Sequence, residues 1–186
     1  VLFRSPECPV RSYNEWDPLE EVIVGIVEGA RFPPWHVSIG APLSPEQSEL
    51  FRARAGQPFP ADQIAAATDE LNQLVSILED AGVVVRRPER RDHEKEYSSP
   101  GWSSTGLYDA MPRDVLLVVG NEVIEAPMSW RSRHHAASAY RPILKEYFRQ
   151  GAKWSSPPKP ELTDELYATD WSDESAVHGF RSVITE

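Results

Sequence analysis

Cysteine is almost missing from this chain: Cys8 is the only one in 186 residues. One thiol cannot close an internal disulfide, so a disulfide-stapled scaffold is excluded and a reducing compartment is the expected setting. Basic residues are also in short supply, 19 Lys and Arg against 29 Asp and Glu, for a net charge of −10 and a pI near 5.0. Such a surface repels phosphate backbones and argues against a nucleic-acid partner. No apolar run approaches the ~20 residues a membrane span needs. No basic stretch followed by an apolar one opens the chain as a secretory signal would. Cytoplasm is therefore the expected location, with the mitochondrion as the alternative if a targeting segment precedes the Val1 start. The glycine-rich phosphate loops, the G-x-S-x-G nucleophile elbow and the H-E-x-x-H metal clip are all missing.

What is present suffices for a core: 40% hydrophobic and 26% charged residues are ordinary for a globular domain. Residues 1–5, Val-Leu-Phe-Arg-Ser, read like a translated sequencing adapter and stand outside the fold reasoning. At the other end, the β-branched run at 182–185 reads as a strand entering a core.

Between these ends, the run Glu21-Val22-Ile23-Val24-Gly25 predicts a strand after the Asp17-Pro18 turn. A proline-rich stretch, 31–60, follows, with a short helix expected at 45–54. The strongest helix is predicted over 61–81. There Ile64, Ala67, Leu71, Leu74, Val75 and Leu78 recur at helical spacing and form one stripe expected to be buried. Val83-Val84-Val85 follows as a buried strand, and the charged run 89–96 reads as a solvated loop. Two β-rich runs, 115–119 and 122–126, flank Gly120-Asn121 and predict a hairpin. A second helix is expected over 132–150, stopped by Gly151, then a short strand within 154–160 and an acidic loop at 162–177. The order strand, helix, strand, hairpin, helix, strand predicts an α/β fold, built from a repeated unit of three strands and one helix.

Few side chains stand out as chemistry. His134 and His135 are neighbours and point apart, so they make no metal clip. His36, His93 and His178 have no ligand partner at a telling spacing, and Cys8 has no visible base to activate it. Arg131 and Arg133 read as structural ion-pair partners. The six tryptophans, spread without period, read as core and interface anchors. Asp114 is the exception. It precedes an apolar strand, where the sheet would hold its two coplanar oxygens toward an end cavity, matched to the paired N–H groups of a guanidinium. The plain alternative is a strand-end aspartate capping nearby amides.

The run Cys8-Pro9-Val10-Arg11-Ser12-Tyr13-Asn14-Glu15-Trp16-Asp17-Pro18 resembles the opening of glycine amidinotransferases. So do Ser104-Thr105-Gly106-Leu107-Tyr108-Asp109-Ala110-Met111-Pro112-Arg113-Asp114 and Gly120-Asn121-Glu122-Val123-Ile124-Glu125-Ala126-Pro127-Met128-Ser129-Trp130-Arg131-Ser132-Arg133. Gly151-Ala152-Lys153-Trp154 and Asp164-Glu165-Leu166-Tyr167 continue the likeness in the same order. The resemblance covers 6–186 and implies an N-terminal fragment, roughly two modules, of a five-bladed α/β propeller of ββαβ type. It implies transfer of the amidino group of L-arginine to an acceptor amine, typically glycine, giving guanidinoacetate and ornithine as in creatine-type biosynthesis. The route is a covalent amidino-cysteine served by a His–Asp pair, without metal or organic cofactor. On this resemblance Asp114 is a substrate-binding residue. The catalytic Asp, His and Cys are expected beyond Glu186, leaving the chain itself inactive. Relatives with other acceptors in antibiotic and toxin biosynthesis, a deiminase on the same scaffold, and a non-catalytic cation-binding module are the competing readings. A homodimer is the partner the family suggests.

Overall fold

A computed structural model describes residues 8–40 and 43–167; the expectations placed on 1–5, Trp171, His178 and the strand at 182–185 lie outside them. Chain order is β1 (Glu21–Ile23), α1 (Val37–Gly40), α2 (Pro45–Ala53), α3 (Ala61–Asp80), β2 (Val84–Arg86), β3 (Tyr97–Ser99), β4 (Trp102–Ser104), α4 (Pro112–Val115), β5 (Leu116–Val119), β6 (Glu122–Glu125), α5 (Arg141–Arg149) and β7 (Lys153–Ser155). Single 3-10 turns occupy Arg131–Arg133, Ala136–Ala139 and Asp164–Leu166.

The expected α/β character is present. β1 and β2 pair in parallel, Glu21 opposite Val84, with α3 in the connection between them. β5 and β6 form the expected hairpin, Val119 opposite Glu122. Its two-residue turn puts Gly120 at φ 59, the left-handed conformation a tight hairpin requires. β7 then joins β6 in parallel after α5, so β5–β6–α5–β7 is a complete ββαβ unit. Its core gathers Val115, Leu116, Val123, Ala139, Tyr140, Ile143, Leu144 and Tyr147, and Val10 and Cys8 reach into it from the N-terminal segment. That segment is tied to the hairpin turn by Ser12 N to Gly120 O (2.9 Å) and Gly120 N to Ser12 O (2.7 Å).

Several local expectations need correction. The helix expected over 132–150 is two 3-10 turns followed by α5 from Arg141. Pro142 has no N–H and its ring would strike the carbonyl one turn earlier, so it can sit only in the first turn of a helix. The buried strand expected at 83–85 is Val84–Arg86, with Val83 buried and Val84 open. α3 forms as expected, but none of its residues is fully buried. Ile64, Ala67, Leu71, Val75 and Leu78 are half-covered and Leu74 is exposed, because its main neighbour is the three-residue β2. α2 is fixed by a reciprocal capping box: Gln47 N donates to Ser44 Oγ (3.2 Å) and Ser44 N to Gln47 Oε1 (3.1 Å). Trp102 is a core anchor, whereas Trp16 is 83% exposed.

Candidate functional site

Asp114 lies in α4 and not at a strand mouth. Pro112 sets a helical φ at the first turn and Val115 is wedged into the core, so the strand begins one residue later than the sequence suggests. The carboxylate is half-exposed, 51%, and Oδ2 accepts from Arg133 Nη1 at 2.8 Å. Arg133 is buried, its guanidinium 5.7 Å from the Tyr108 ring, and among the described residues its Nε has no partner. A carboxylate offers about four lone-pair sites, so one ion pair orients Asp114 and leaves acceptor capacity on it. The plain reading of Arg133 as a local ion-pair partner therefore holds. So does that of Arg131, which donates to Leu162 O (2.9 and 2.7 Å) and to Asp164 Oδ1 (2.7 Å).

Five residues before Asp114, Asp109 centres a cluster the sequence did not disclose. Asp109 is 2% exposed. Arg91 grips it with both arms, Nε to Oδ2 at 3.0 Å and Nη2 to Oδ1 at 2.5 Å, and His93 Nε2 lies 3.0 Å from Oδ2. Burial by itself would raise the Asp109 pKa; the His93 and Arg91 hydrogen bonds together outweigh it and hold the carboxyl below its usual value. The Asp109 carbonyl accepts from Ile26 N (3.0 Å) and Tyr140 Oη (2.8 Å). Arg91 Nη1 reaches on to His135 O (2.8 Å) and Ser138 Oγ (2.7 Å). Two glycines permit the close packing: a Cβ at Gly25 would run into Ala110 O, and one at Gly106 into His93 Nδ1. The run 89–96 is a loop, but Arg91 and His93 turn inward from it, which corrects the solvated reading.

The other histidines also find partners at distances no local spacing reveals. His36 Nε2 lies 3.1 Å from Asp164 Oδ1 and its Nδ1 2.8 Å from Ser38 Oγ; burial lowers its pKa against the opposing pull of Asp164. His134 and His135 meet edge to face at 4.8 Å, flanked by Trp102 and Tyr97. Burial, then the charges of Lys159 and His135, lower the His134 pKa to about 4. Among the described residues no three His, Cys, Asp or Glu side chains gather in a way that could hold a metal ion, and no helix is long and apolar enough to cross a membrane. Cys8 Sγ donates to Val10 O at 3.4 Å. A cleft of about 650 Å³ opens between residues 9–23 and the α4–β5 junction, and Asp114 does not line it.

No protein-family model matches the sequence. The chain is 54% identical over 178 residues, 96% of its length, to an L-arginine:L-lysine amidinotransferase of Pseudomonas savastanoi pv. phaseolicola. It is 52% identical over 165 residues to the mitochondrial glycine amidinotransferase of Xenopus tropicalis. The relatives of this chain are amidinotransferases. Solved amidinotransferases agree in shape: one from Microseira wollei in the saxitoxin biosynthetic pathway superposes with a TM-score of 0.86 at 45% identity, over 96% of this chain and 51% of that one. The inosamine-phosphate amidinotransferase of Streptomyces griseus gives 0.77 at 42% identity, over 87% of this chain and 46% of that one. The chain spans 49% and 39% of the two curated relatives, about half or less of their length.

The structure places Asp114 on α4 beside Arg133, and the Arg91–His93–Asp109 cluster was not singled out from the sequence. Their partners are separated by loops, and a charged run without period carries no sign of which members turn inward.

Proposed function

We propose that the protein is an amidinotransferase that takes the amidino group of L-arginine and passes it to the primary amine of an amino acid. What carries this reading is the 54% identity with an arginine-dependent amidinotransferase along nearly the whole chain. The two curated relatives named above have lysine and glycine in their names, and both are α-amino acids; glycine is the acceptor on which the sequence resemblance rests. In this reading β5–β6–α5–β7 is one blade of a five-bladed propeller, and Asp114 projects toward the shared axis. Its half-exposed carboxylate would accept the donor guanidinium through oxygen sites not taken by Arg133. Attack on the guanidinium carbon requires a thiolate, and Cys8, held against Val10 O, is not assigned that part. On this reading the nucleophile and its proton-handling partners belong to residues beyond the 186.

The test uses the full-length protein with arginine labelled in its guanidino carbon and either glycine or lysine. Ornithine should form in equal amount with labelled acceptor. Asp114→Asn keeps the shape and removes the charge; a charge-assisted hydrogen bond of about 1.5–3 kcal/mol predicts a loss of roughly tenfold or more in kcat/KM for arginine. Citrulline with an unlabelled acceptor would mean a hydrolase instead, and an unaffected Asp114→Asn would remove this residue from the site.

A further inference from the structure

The short α4 helix that carries Asp114 has one hydrogen-bonded turn and cannot hold its own orientation. Two things hold it: Val115 below, packed into the core, and the backbone before it, where Asp109 is fixed. The Arg133 partner of Asp114 also sits at the end of a 3-10 turn, followed at once by residues 134–139. Both strands of support meet at one side chain. Arg91 holds the Asp109 carboxylate with Nε and Nη2, and holds the 134–139 segment with Nη1 through His135 O and Ser138 Oγ.

We propose that Arg91 is a positioning residue for donor recognition: its guanidinium clamps the backbone leading to Asp114 and the segment following Arg133, and so fixes both members of the Asp114–Arg133 pair in one geometry. The proposal rests on the reading of Asp114 as a substrate ligand. Three features support a clamp over a chance surface pair. Asp109 is fully buried, so its charge is costly unless held on both oxygens. Each oxygen has a partner, Oδ1 from Arg91 and Oδ2 from Arg91 and His93. And the contacts of Arg91 use Nε, Nη1 and Nη2 together, a planar pattern that lysine cannot reproduce. Arg91 touches neither the half-exposed carboxylate of Asp114 nor the cleft beside α4, so its effect on Asp114 passes through the two segments.

Arg91→Lys and Ser138→Ala in the full-length protein test this, with hydrogen exchange and steady-state kinetics as separate readouts. Exchange should quicken in 109–115 and 133–138 while β5 and β6 keep their protection. The KM for arginine should rise about tenfold or more in Arg91→Lys, as ångström-scale misplacement of a binding group predicts, with the acceptor KM unmoved. Ser138→Ala deletes one contact and should move both readouts the same way by less; it carries the test if Arg91→Lys does not fold. Unchanged exchange in those segments, or an equal rise in both KM values, overturns the clamp. If the wild-type protein transfers no amidino group while exchange still quickens as described, the proposed function fails and the clamp stands as architecture.

Discussion

The ββαβ unit and the β1–α3–β2 unit start from the same kind of sequence and end in different states. α5 buries Ile143, Leu144 and Tyr147 against the hairpin sheet, with Leu144 1% exposed. α3 is more than twice as long and also carries an apolar stripe, though a weaker one, yet it buries nothing fully and leaves Ile77 66% exposed. Periodicity says which face of a helix is apolar; it does not say whether anything covers it. For α5 the cover is supplied by the β5–β6 hairpin earlier in the chain and by the parallel strand β7 just after it. For α3 the described residues supply one three-residue strand.

The largest effect should come from breaking the packed side. Leu144→Ala deletes a side chain from a closed core and should destabilise by about 2–5 kcal/mol, read as a lowered urea midpoint with an unchanged slope. A loss below about 1 kcal/mol would mean that the unit collapses around the gap, and that its apparent advantage over the α3 side is not one of rigidity.

How much of this was legible follows the range of the interactions. The hairpin and α3 were readable because their signals are local: Gly120-Asn121 joins its own strands, and Ile64, Leu71, Val75 and Leu78 recur within one helix. The break before α5 was also local, since Pro142 is in plain view, but the apolar face on both sides of it masked the signal. The hub was not readable. Arg91 to Asp109, Arg91 to Ser138 and His36 to Asp164 join residues 18, 47 and 128 apart, distances at which only the finished fold selects partners. Asp114 was singled out by its place before a strand and by family resemblance, and the strand starts one residue later than expected, with Asp114 itself in the short α4.

The packed side should also dominate the response to acid. His134 has a folded pKa of about 4 against 6.5 when free, first through burial and then through the charges of Lys159 and His135. The folded state therefore binds fewer protons than the unfolded chain between these values. The stability this contributes is complete above pH 6.5 and is lost as pH falls from 6.5 toward 4. His135 is shifted in the same direction and steepens the loss. Asp109 acts lower: its depressed carboxyl contributes stability above the ordinary value of 3.8 and loses it as pH falls through the folded value. His134→Gln should flatten the slope between pH 4 and 6.5, measured by urea midpoints across that range, and leave the lower step in place. An unaltered slope would shift the origin of acid sensitivity away from the aromatic cluster.

The smallest effect should be on α3. Ile77→Gln replaces a mostly exposed side chain on a regular helix, where glutamine is at least as good a helix former as isoleucine. Helix propensity thus cannot cause a loss, and the expected change is within about 0.5 kcal/mol. Leu71→Ala, on the half-covered line of the same helix, should cost more than Ile77→Gln and less than Leu144→Ala. That ranking is the sharpest form of the contrast between the two units, because Leu71→Ala and Leu144→Ala make the same change on helices with an apolar stripe and differ in cover. A loss at Ile77 approaching that at Leu144 could arise only from packing, and would show that the outer face of α3 is covered in the protein as it exists in solution.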